Sequence, residues 1–280
     1  MRDFHGKTVL VTGSTKGIGR QTALQFAAEG ANVVVTGRTV EAGEKVVAEI
    51  AEAGGSATFV QADLSDQAQV EALVGAAVDH FGGLHVLVNN AAPIDAASEM
   101  EKPLADQTAA EFDSILGITL VAPVTAMRAA IPELIKAGGG AIVNVSSAAS
   151  VQAIKGLPAY TAAKGGLNAL TRQVAADYGH QGVRCNAVIV GTIPTEFSSG
   201  VLLHPAVKSA FAEILLTPGG EMGEPSDIAE AVVWLASDAT KYMNGSFVTV
   251  DAGMTAQSIF PDVSKVWEQW ERSNAANAPA

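Results

Sequence analysis

Seven apolar runs of strand length alternate with amphipathic stretches along the chain, and the amphipathic stretches repeatedly stop at glycine. The runs are Thr8–Thr12, Asn32–Thr36, Ala57–Gln61, Val86–Asn89, Ala141–Ser146, Arg184–Val190 and Ser246–Asp251. The glycines are Gly30, Gly54-Gly55, Gly82-Gly83, Gly138–Gly140 and Gly182, placed as helix C-terminal caps are placed. Strand and helix in strict alternation imply right-handed crossovers and a parallel sheet covered by helices on both faces. A chain of 280 residues, 48% hydrophobic and 16% charged, can bury such a core, and α/β folds run to about 250 residues as one domain. No Ser/Pro-rich linker and no fixed-period repeat divides it, so the expectation is a single-domain doubly wound α/β fold with a seven-stranded parallel sheet.

Charge narrows the partners. Seventeen Lys and Arg against 29 Asp and Glu give a formal charge of −12. That argues against nucleic acid and anionic membrane, because phosphate contact needs clustered cations. No run of about 18 apolar residues lacks polar breaks, so no membrane span is expected. Met1–Lys7 leads directly into the first strand, leaving no room for a signal peptide; a cytoplasmic protein is expected. Cys185 is the only cysteine and, in Val183–Val188, reads as a buried strand residue. Five scattered histidines offer no metal-ligand cluster.

Two stretches break the rhythm. Residues 191–225 contain Pro194, Pro205 and Pro218 with Phe197, Val201, Leu202, Leu203, Phe211, Ile214 and Leu215. A connection this long reads as a substrate lid, with a peripheral helical hairpin as the alternative. The division expected is therefore a domain over 1–254, including this lid, and an extension over 255–280. Phe260, Val263, Val266, Trp267 and Trp270 form an apolar stripe at helical spacing in that extension. It predicts a docked terminal helix or a subunit contact, followed by a disordered tail over 274–280.

The first strand runs into Thr12-Gly13-Ser14-Thr15-Lys16-Gly17-Ile18-Gly19, then a helix through Glu29. Glycines permit a tight turn and close backbone approach to a pyrophosphate on the free N–H groups of a helix N-terminus. At the end of strand one of a doubly wound sheet, that turn points to a dinucleotide. The second strand ends Val35-Thr36-Gly37-Arg38. It has no carboxylate for a ribose 2′-hydroxyl, whereas Arg38 and Lys16 suit a 2′-phosphate, which favours NADP(H) with NAD(H) possible.

Tyr160 and Lys164 lie four residues apart, one helical turn on one face, and Ser147 stands upstream. An ammonium beside a phenol favours the phenolate and pulls its pKa, about 10 in isolation, toward the range of a general acid/base. A serine hydroxyl at the same spot could hold a carbonyl oxygen.

Together these features resemble the classical short-chain dehydrogenases/reductases, over roughly Gly6 to Met254. The motifs occur in order: Thr12–Gly19, Asp63-Leu64, Asn89-Asn90-Ala91, Asn144–Ser147, Tyr160-x-x-x-Lys164, Asn186 with Gly191 and Thr195, and Gly223–Ile228. The resemblance implies a Rossmann fold and hydride transfer between a nicotinamide and a ketone or secondary alcohol. It implies that Tyr160 moves the proton, Ser147 orients the substrate oxygen and Lys164 also holds the nicotinamide ribose. For the cofactor it implies contacts from Gly13, Ser14, Thr15, Lys16, Gly17, Ile18, Gly19, Arg38, Asp63, Leu64, Asn90 and Ala91. Asn89 would line the ribose and nicotinamide side, and Ile193 and Thr195 would hold the carboxamide. Self-association as a tetramer or dimer is likewise implied.

The chain departs from the family at several points. Ile118-Thr119-Leu120 places Thr119 where the family has an asparagine in the proton relay, so Thr119 stands as a candidate catalytic residue. Ala92 and Ala252 replace glycines and Val190 a proline. Flanking segments supply Ile94, Met100, Val151, Ile154, Leu157, Phe197 and Leu202, suggesting an uncharged, fairly apolar substrate. Family members acting on carrier proteins show basic residues near the turns that here read Ala137–Gly140 and Gly179–Gly182. Carrier-protein docking is therefore disfavoured. The other classes left open are an NAD-dependent alcohol or polyol dehydrogenase and a dinucleotide sensor without catalysis.

Overall fold

The computed structural model describes residues 3–93, 100–196, 198–257 and 263–276; Ile94, Phe197 and Phe260 lie outside the described residues. Seven parallel strands stand in the order β3-β2-β1-β4-β5-β6-β7. They are β1 Thr8–Val11, β2 Asn32–Gly37, β3 Ser56–Gln61, β4 Val86–Asn89, β5 Gly140–Val145, β6 Val183–Val190 and β7 Phe247–Val250. Each expected run became a strand, with bounds shifted by no more than a residue or so. The order reverses between β1 and β4, and that crevice at the carboxyl ends of the strands is where such sheets bind ligands.

The strands carry apolar residues on both faces because both are covered. Val9, Val11, Val33, Val35, Val86, Val88 and Val143 face one layer with Phe26, Val46, Ile50, Ile228 and Val232. Leu10, Val34, Leu87 and Ile142 face the other with Leu73, Val74, Met127, Leu134 and Leu167. The first layer comprises α1 (Gly17–Ala28), α2 (Val40–Glu52) and the later helix Pro225–Ala236; the second includes α3 (Gln67–Phe81) and the helices after β4 and β5. The caps explain why helices stop where they do. Gly82, for example, closes α3 at φ 83° and donates its N–H to the Val78 carbonyl.

After β4, Thr108 and Glu111 form a capping box that opens α4 (Ala109–Leu116). A π-turn over Gly117–Val121 then joins α4 to α5 (Ala122–Lys136). This continuous stretch, Ala109–Lys136, is long and apolar enough to cross a membrane by length and composition alone, a test that the core helix of a globular α/β body also passes. Half of its most apolar window is buried in the body, and α5 packs on α3. The catalytic-candidate helix, α6 (Pro158–Tyr178), follows β5.

Within 191–225 lie two short helices, α7 (Ser199–Leu202) and α8 (Pro205–Ala212), and a 3-10 turn at Pro218–Gly220. Val201, Leu203, Ile214 and Leu216 are exposed whereas Leu215 is buried. Helix α9 (Pro225–Ala236) packs on α1. The terminal helix, α10 (Val263–Ala276), continues three residues into the stretch expected to be disordered, which fits the strong helix propensity of its alanines; residues 277–280 lie outside the described residues. Val263, Val266, Trp267 and Trp270 are all exposed, so among the described residues these four are not buried against the body.

Candidate active site

A cleft of about 700 Å³ lies over the carboxyl ends of the strands and is lined by 29 residues drawn from the glycine turn to Ser198. Its floor is the turn after β1. Thr12 fixes the neighbouring strand end: its hydroxyl donates to the Val88 carbonyl and accepts from Asn90 N–H at 3.0 Å and Ala91 N–H at 3.2 Å. The Asn90 amide returns bonds to the Thr12 and Gly13 carbonyls at 2.9 and 3.2 Å. Gly13 sits at φ 65°, and a Cβ on Gly19 would drive into the Gly13 carbonyl and the Asn90 amide. The backbone therefore presents a cradle that side chains would fill, which fits a pyrophosphate on the N-terminus of α1.

Gly13, Thr15, Lys16, Gly17, Ile18 and Gly19 line the cleft. Ser14 does not. It is fully buried, donating its hydroxyl to the Val11 carbonyl at 2.7 Å and accepting from Thr36 N–H at 2.9 Å. Its own N–H is spent on the Thr36 carbonyl, so it joins the turn to β2 and has no donor left for a ligand. This corrects the sequence expectation.

At one end of the cleft stand Arg38, Asp63 and Leu64 with Gly37, Thr39 and Ala42. Ser65, through its N–H and hydroxyl at 2.9 and 2.8 Å, holds the Asp63 carboxyl below the usual range, and the Arg38 charge assists. Asn90 and Ala91 line the middle. Asn89 corrects a second expectation: it is buried, donates to Asn144 Oδ1 at 2.8 Å and lies behind the cleft wall.

Ser147, Tyr160 and Lys164 come together at the other end. Pro158 begins α6, its missing N–H being an orphan at that position. Leu157 gives no side-chain cap; the Glu101 carboxylate instead accepts the Tyr160 N–H at 2.6 Å. One turn on, Lys164 is buried and its Nζ donates to the Val145 carbonyl at 2.6 Å. That ammonium also lies 5.5 Å from the centre of the Tyr160 ring. Ser147 follows β5 and hydrogen-bonds Tyr160.

The protonation balance differs from the simple expectation. Burial pushes the Tyr160 phenol up, with the Ser147 hydrogen bond pulling the other way. Burial also brings Lys164 down to about 8. Desolvation dominates at both groups, and the ammonium, bonded to a backbone carbonyl and lying over the face of the Tyr160 ring, does not offset it at the phenol. The resting phenol is a held proton, not a phenolate.

Thr119 does not reach the cleft. It is fully buried in the π-turn, and its hydroxyl finds no partner among the described residues. Ile118 and Ser114 line the cleft in its place. They stand four apart on one helical face, a spacing by which the sequence could have identified them. Ile193, Thr195 and Ser198 form the wall after β6, and Ser198 Oγ accepts the Thr195 N–H at 3.0 Å. Glu196, unassigned from sequence, accepts the Gly17 N–H at 2.9 Å. None of Met100, Val151, Ile154, Leu157 and Leu202 lines the cleft; Val151 and Ile154 are exposed. The 3-10 turn Ala148–Ser150 carries the chain away immediately after Ser147, which accounts for the misplacement of Val151 and Ile154. Cys185 is buried and inert, its thiol pushed up to about 12 by burial.

A doubly wound sheet with a glycine-turn cleft over its switch point is the architecture of a dinucleotide-binding fold, and the chain's relatives are dehydrogenases and reductases acting on hydroxyl and carbonyl groups. Residues 13–255 match the family described as Enoyl-(Acyl carrier protein) reductase. The chain is 37% identical over 255 residues to 3beta-hydroxysteroid dehydrogenase 1 of Eggerthella lenta, covering 90% of this chain and 95% of that one. It is 36% identical over 259 residues to levodione reductase of Leifsonia aquatica, covering 90% and 96%. A crystal structure of levodione reductase superposes with a TM-score of 0.84 at 32% identity, covering 91% of this chain and 100% of that one. A Beutenbergia cavernae protein, provisionally named an NAD(P) dependent gluconate 5-dehydrogenase and carrying NADP at low occupancy, gives 0.83 at 31%, covering 91% and 99%. The chain belongs to the short-chain dehydrogenase/reductase family.

Proposed function

We propose that this enzyme moves a hydride between NADP(H) and an uncharged ketone or secondary alcohol, with Tyr160 as general acid/base. The observation that carries the reading is the convergence of Ser147, Tyr160 and Lys164 on one wall of the cleft, with Ser147 bonded to the phenol. The nicotinamide, when bound, supplies or accepts the hydride. In the reducing direction Tyr160 donates its phenolic proton to the substrate oxygen as charge builds there, and Ser147 donates a hydrogen bond to the same oxygen. A phenol that burial keeps protonated suits this direction. The Lys164 ammonium then stabilises the phenolate left behind. In alcohol oxidation the same groups run in reverse.

The glycine turn, Asn90 and Ala91 would hold the pyrophosphate and ribose side, Asp63 and Leu64 the adenine, and Ile193 and Thr195 the carboxamide. Two features support NADP(H). Arg38 and Lys16 both line the cleft, and β2 ends without a carboxylate. Lys164 apart, the substrate end is lined by uncharged side chains, including Ala92, Pro93, Ser114, Ile118 and Ile193, which supports an uncharged substrate. Helix α6 carries no basic residue in its last turn, and with the −12 charge this supports a free small molecule over an acidic carrier protein.

The test is direct. Competitive binding of NADP⁺ and NAD⁺, followed by NADPH consumption over a panel of uncharged ketones, should give tighter NADP⁺ binding and turnover. Arg38→Ala should erase the preference. Tighter NAD⁺ binding would instead favour an NAD-dependent dehydrogenase, and binding without any turnover would favour a sensor.

A further inference from the structure

Tyr160 and Lys164 do not exhaust the polar face of α6. Asn168, one turn beyond Lys164, is buried, 7% exposed, and neither lines the cleft nor takes part in the proton transfer described above. Its Oδ1 accepts the Ser146 hydroxyl at 2.7 Å, and its Nδ2 donates to Ser150 Oγ at 2.8 Å. The Ser150 hydroxyl in turn donates to the Ser147 carbonyl at 2.5 Å. Ser146 and Ser150 flank Ser147, so the one amide holds both sides of the segment that presents the Ser147 hydroxyl. One turn further, Thr171 accepts from Asn144 Nδ2 at 2.9 Å. Helix α6 is thereby joined to the end of β5 by Lys164 on residue 145, Asn168 on residue 146, and Thr171 on residue 144.

We propose that Asn168 is a positioning residue for the reaction: through Ser146 and Ser150 it sets where the Ser147 hydroxyl stands relative to the Tyr160 phenol. The rationale is geometric. Ser147 leaves β5 with extended backbone, φ −152° and ψ 155°, and its hydroxyl accepts the Ala149 N–H at 3.2 Å at the head of a three-residue 3-10 turn, so where that hydroxyl stands follows the backbone on either side of it. An amide is the side chain that offers one acceptor and a donor from one terminus. Here those two functions meet a serine hydroxyl on each side of Ser147. A hydrogen-bonded network of this kind, buried at Ser146 and Asn168 and half-buried at Ser150, favours one arrangement. The inference rests on the reading of Ser147 and Tyr160 as the reacting pair.

The experiment compares Asn168→Leu and Ser150→Ala with the parent enzyme, reading NADPH affinity, kcat and the pH dependence of kcat. Asn168→Leu should lower kcat by roughly 10-fold to 100-fold, the scale of a small misplacement of a reacting group, while leaving NADPH affinity within about twofold. Ser150→Ala, which deletes one hydroxyl and keeps the fold should the asparagine variant fail to fold, should lower kcat by about threefold to tenfold. Both should move the kinetic pKa of the phenol upward, in the direction of Ser147→Ala, because the hydroxyl that lowers it is no longer held against it. A merely structural role reduces the amount of active enzyme and leaves the pH profile in place. An unshifted profile, or unchanged kcat in Ser150→Ala, overturns the inference. Failure of the underlying reading is read separately, from retained turnover in Tyr160→Phe and Ser147→Ala.

Discussion

The Glu196 carboxylate accepts the backbone N–H of Gly17 at 2.9 Å, at the first residue of α1. That donor belongs to the set a phosphate group needs at a helix N-terminus. A carboxylate already seated there competes with the dinucleotide for the donor and repels its charge. Glu196→Gln and Glu196→Ala should therefore tighten NADPH binding by about threefold, the scale of a solvent-facing charge interaction, and salt should narrow the difference. Fluorescence titration of NADPH measures it. Unchanged or weaker binding in Glu196→Ala would show that the contact does not oppose the nucleotide.

Tyr160→Phe keeps the ring that lies against Lys164 and removes only the proton carrier. The Lys164 ammonium retains its bond to the Val145 carbonyl, so the wall of the cleft should stand. Ketone reduction should fall by roughly 10² to 10⁴, the usual contribution of a positioned acid, with NADPH affinity nearly unchanged. Steady-state rates together with nucleotide titration decide it, and retained turnover would remove Tyr160 from the mechanism.

The sheet was legible in the sequence because each strand is a short apolar run closed off by glycine-capped helices, a signal that survives without knowledge of the partners. The cleft was legible for the same reason: Gly13, Gly17 and Gly19 are needed where a backbone must come close. What was not legible depends on which way a side chain faces. Ser14 and Thr15 are neighbours in one turn, yet Ser14 points into the sheet and Thr15 into the cleft, and no periodicity describes a turn. Thr119 was misplaced by the π-turn. An i→i+5 step adds a residue to the turn and rotates those that follow, so Ile118 takes the cleft position and Thr119 the core. Glu196 lay in a loop and its partner 179 residues away, a distance that only the folded chain closes.

Two buried groups give the stability of this protein an unusual alkaline profile. Lys164 titrates near 10.5 when unfolded and at about 8 when folded. Between those values the unfolded chain binds more protons, so stability rises with pH. Cys185 goes from 9.0 to about 12. Above pH 9 the folded thiol keeps a proton that the unfolded chain has lost, and stability falls by the same linkage. The sum should rise from pH 8 to 9 by at most about 1.4 kcal/mol, then flatten. Urea unfolding of Cys185→Ala should keep rising toward about pH 10, where the raised Tyr160 phenol begins to oppose the rise, whereas Lys164→Met should lose the rise and decline above pH 9. A Lys164→Met profile identical to the parent would show that the buried ammonium does not carry the effect.

Ala252 takes φ 54° and is the only non-glycine residue at positive φ among the described residues. It is held there on both sides. Its carbonyl accepts the Leu216 N–H at 2.7 Å, and Asp251 accepts the N–H groups of Gly253 and Thr255 at 2.9 and 2.8 Å. The Asp251 backbone cannot move away, because it packs so closely on Gly191 that a Cβ there would approach Asp251 Cα to 2.6 Å. The strain of a left-handed alanine, about 1–2 kcal/mol, is thus retained and partly recovered by these bonds. Ala252→Gly relieves it while adding unfolded-state entropy of about 0.4–1 kcal/mol, so a net gain of about 0.5–1 kcal/mol is expected. Ala252→Val should destabilise, since a β-branched side chain fits this region worst. Denaturant midpoints at constant m-value measure both changes. Because Ala252 does not line the cleft, NADPH affinity should stay level; a glycine variant less stable than the parent would mean that the strain is not there.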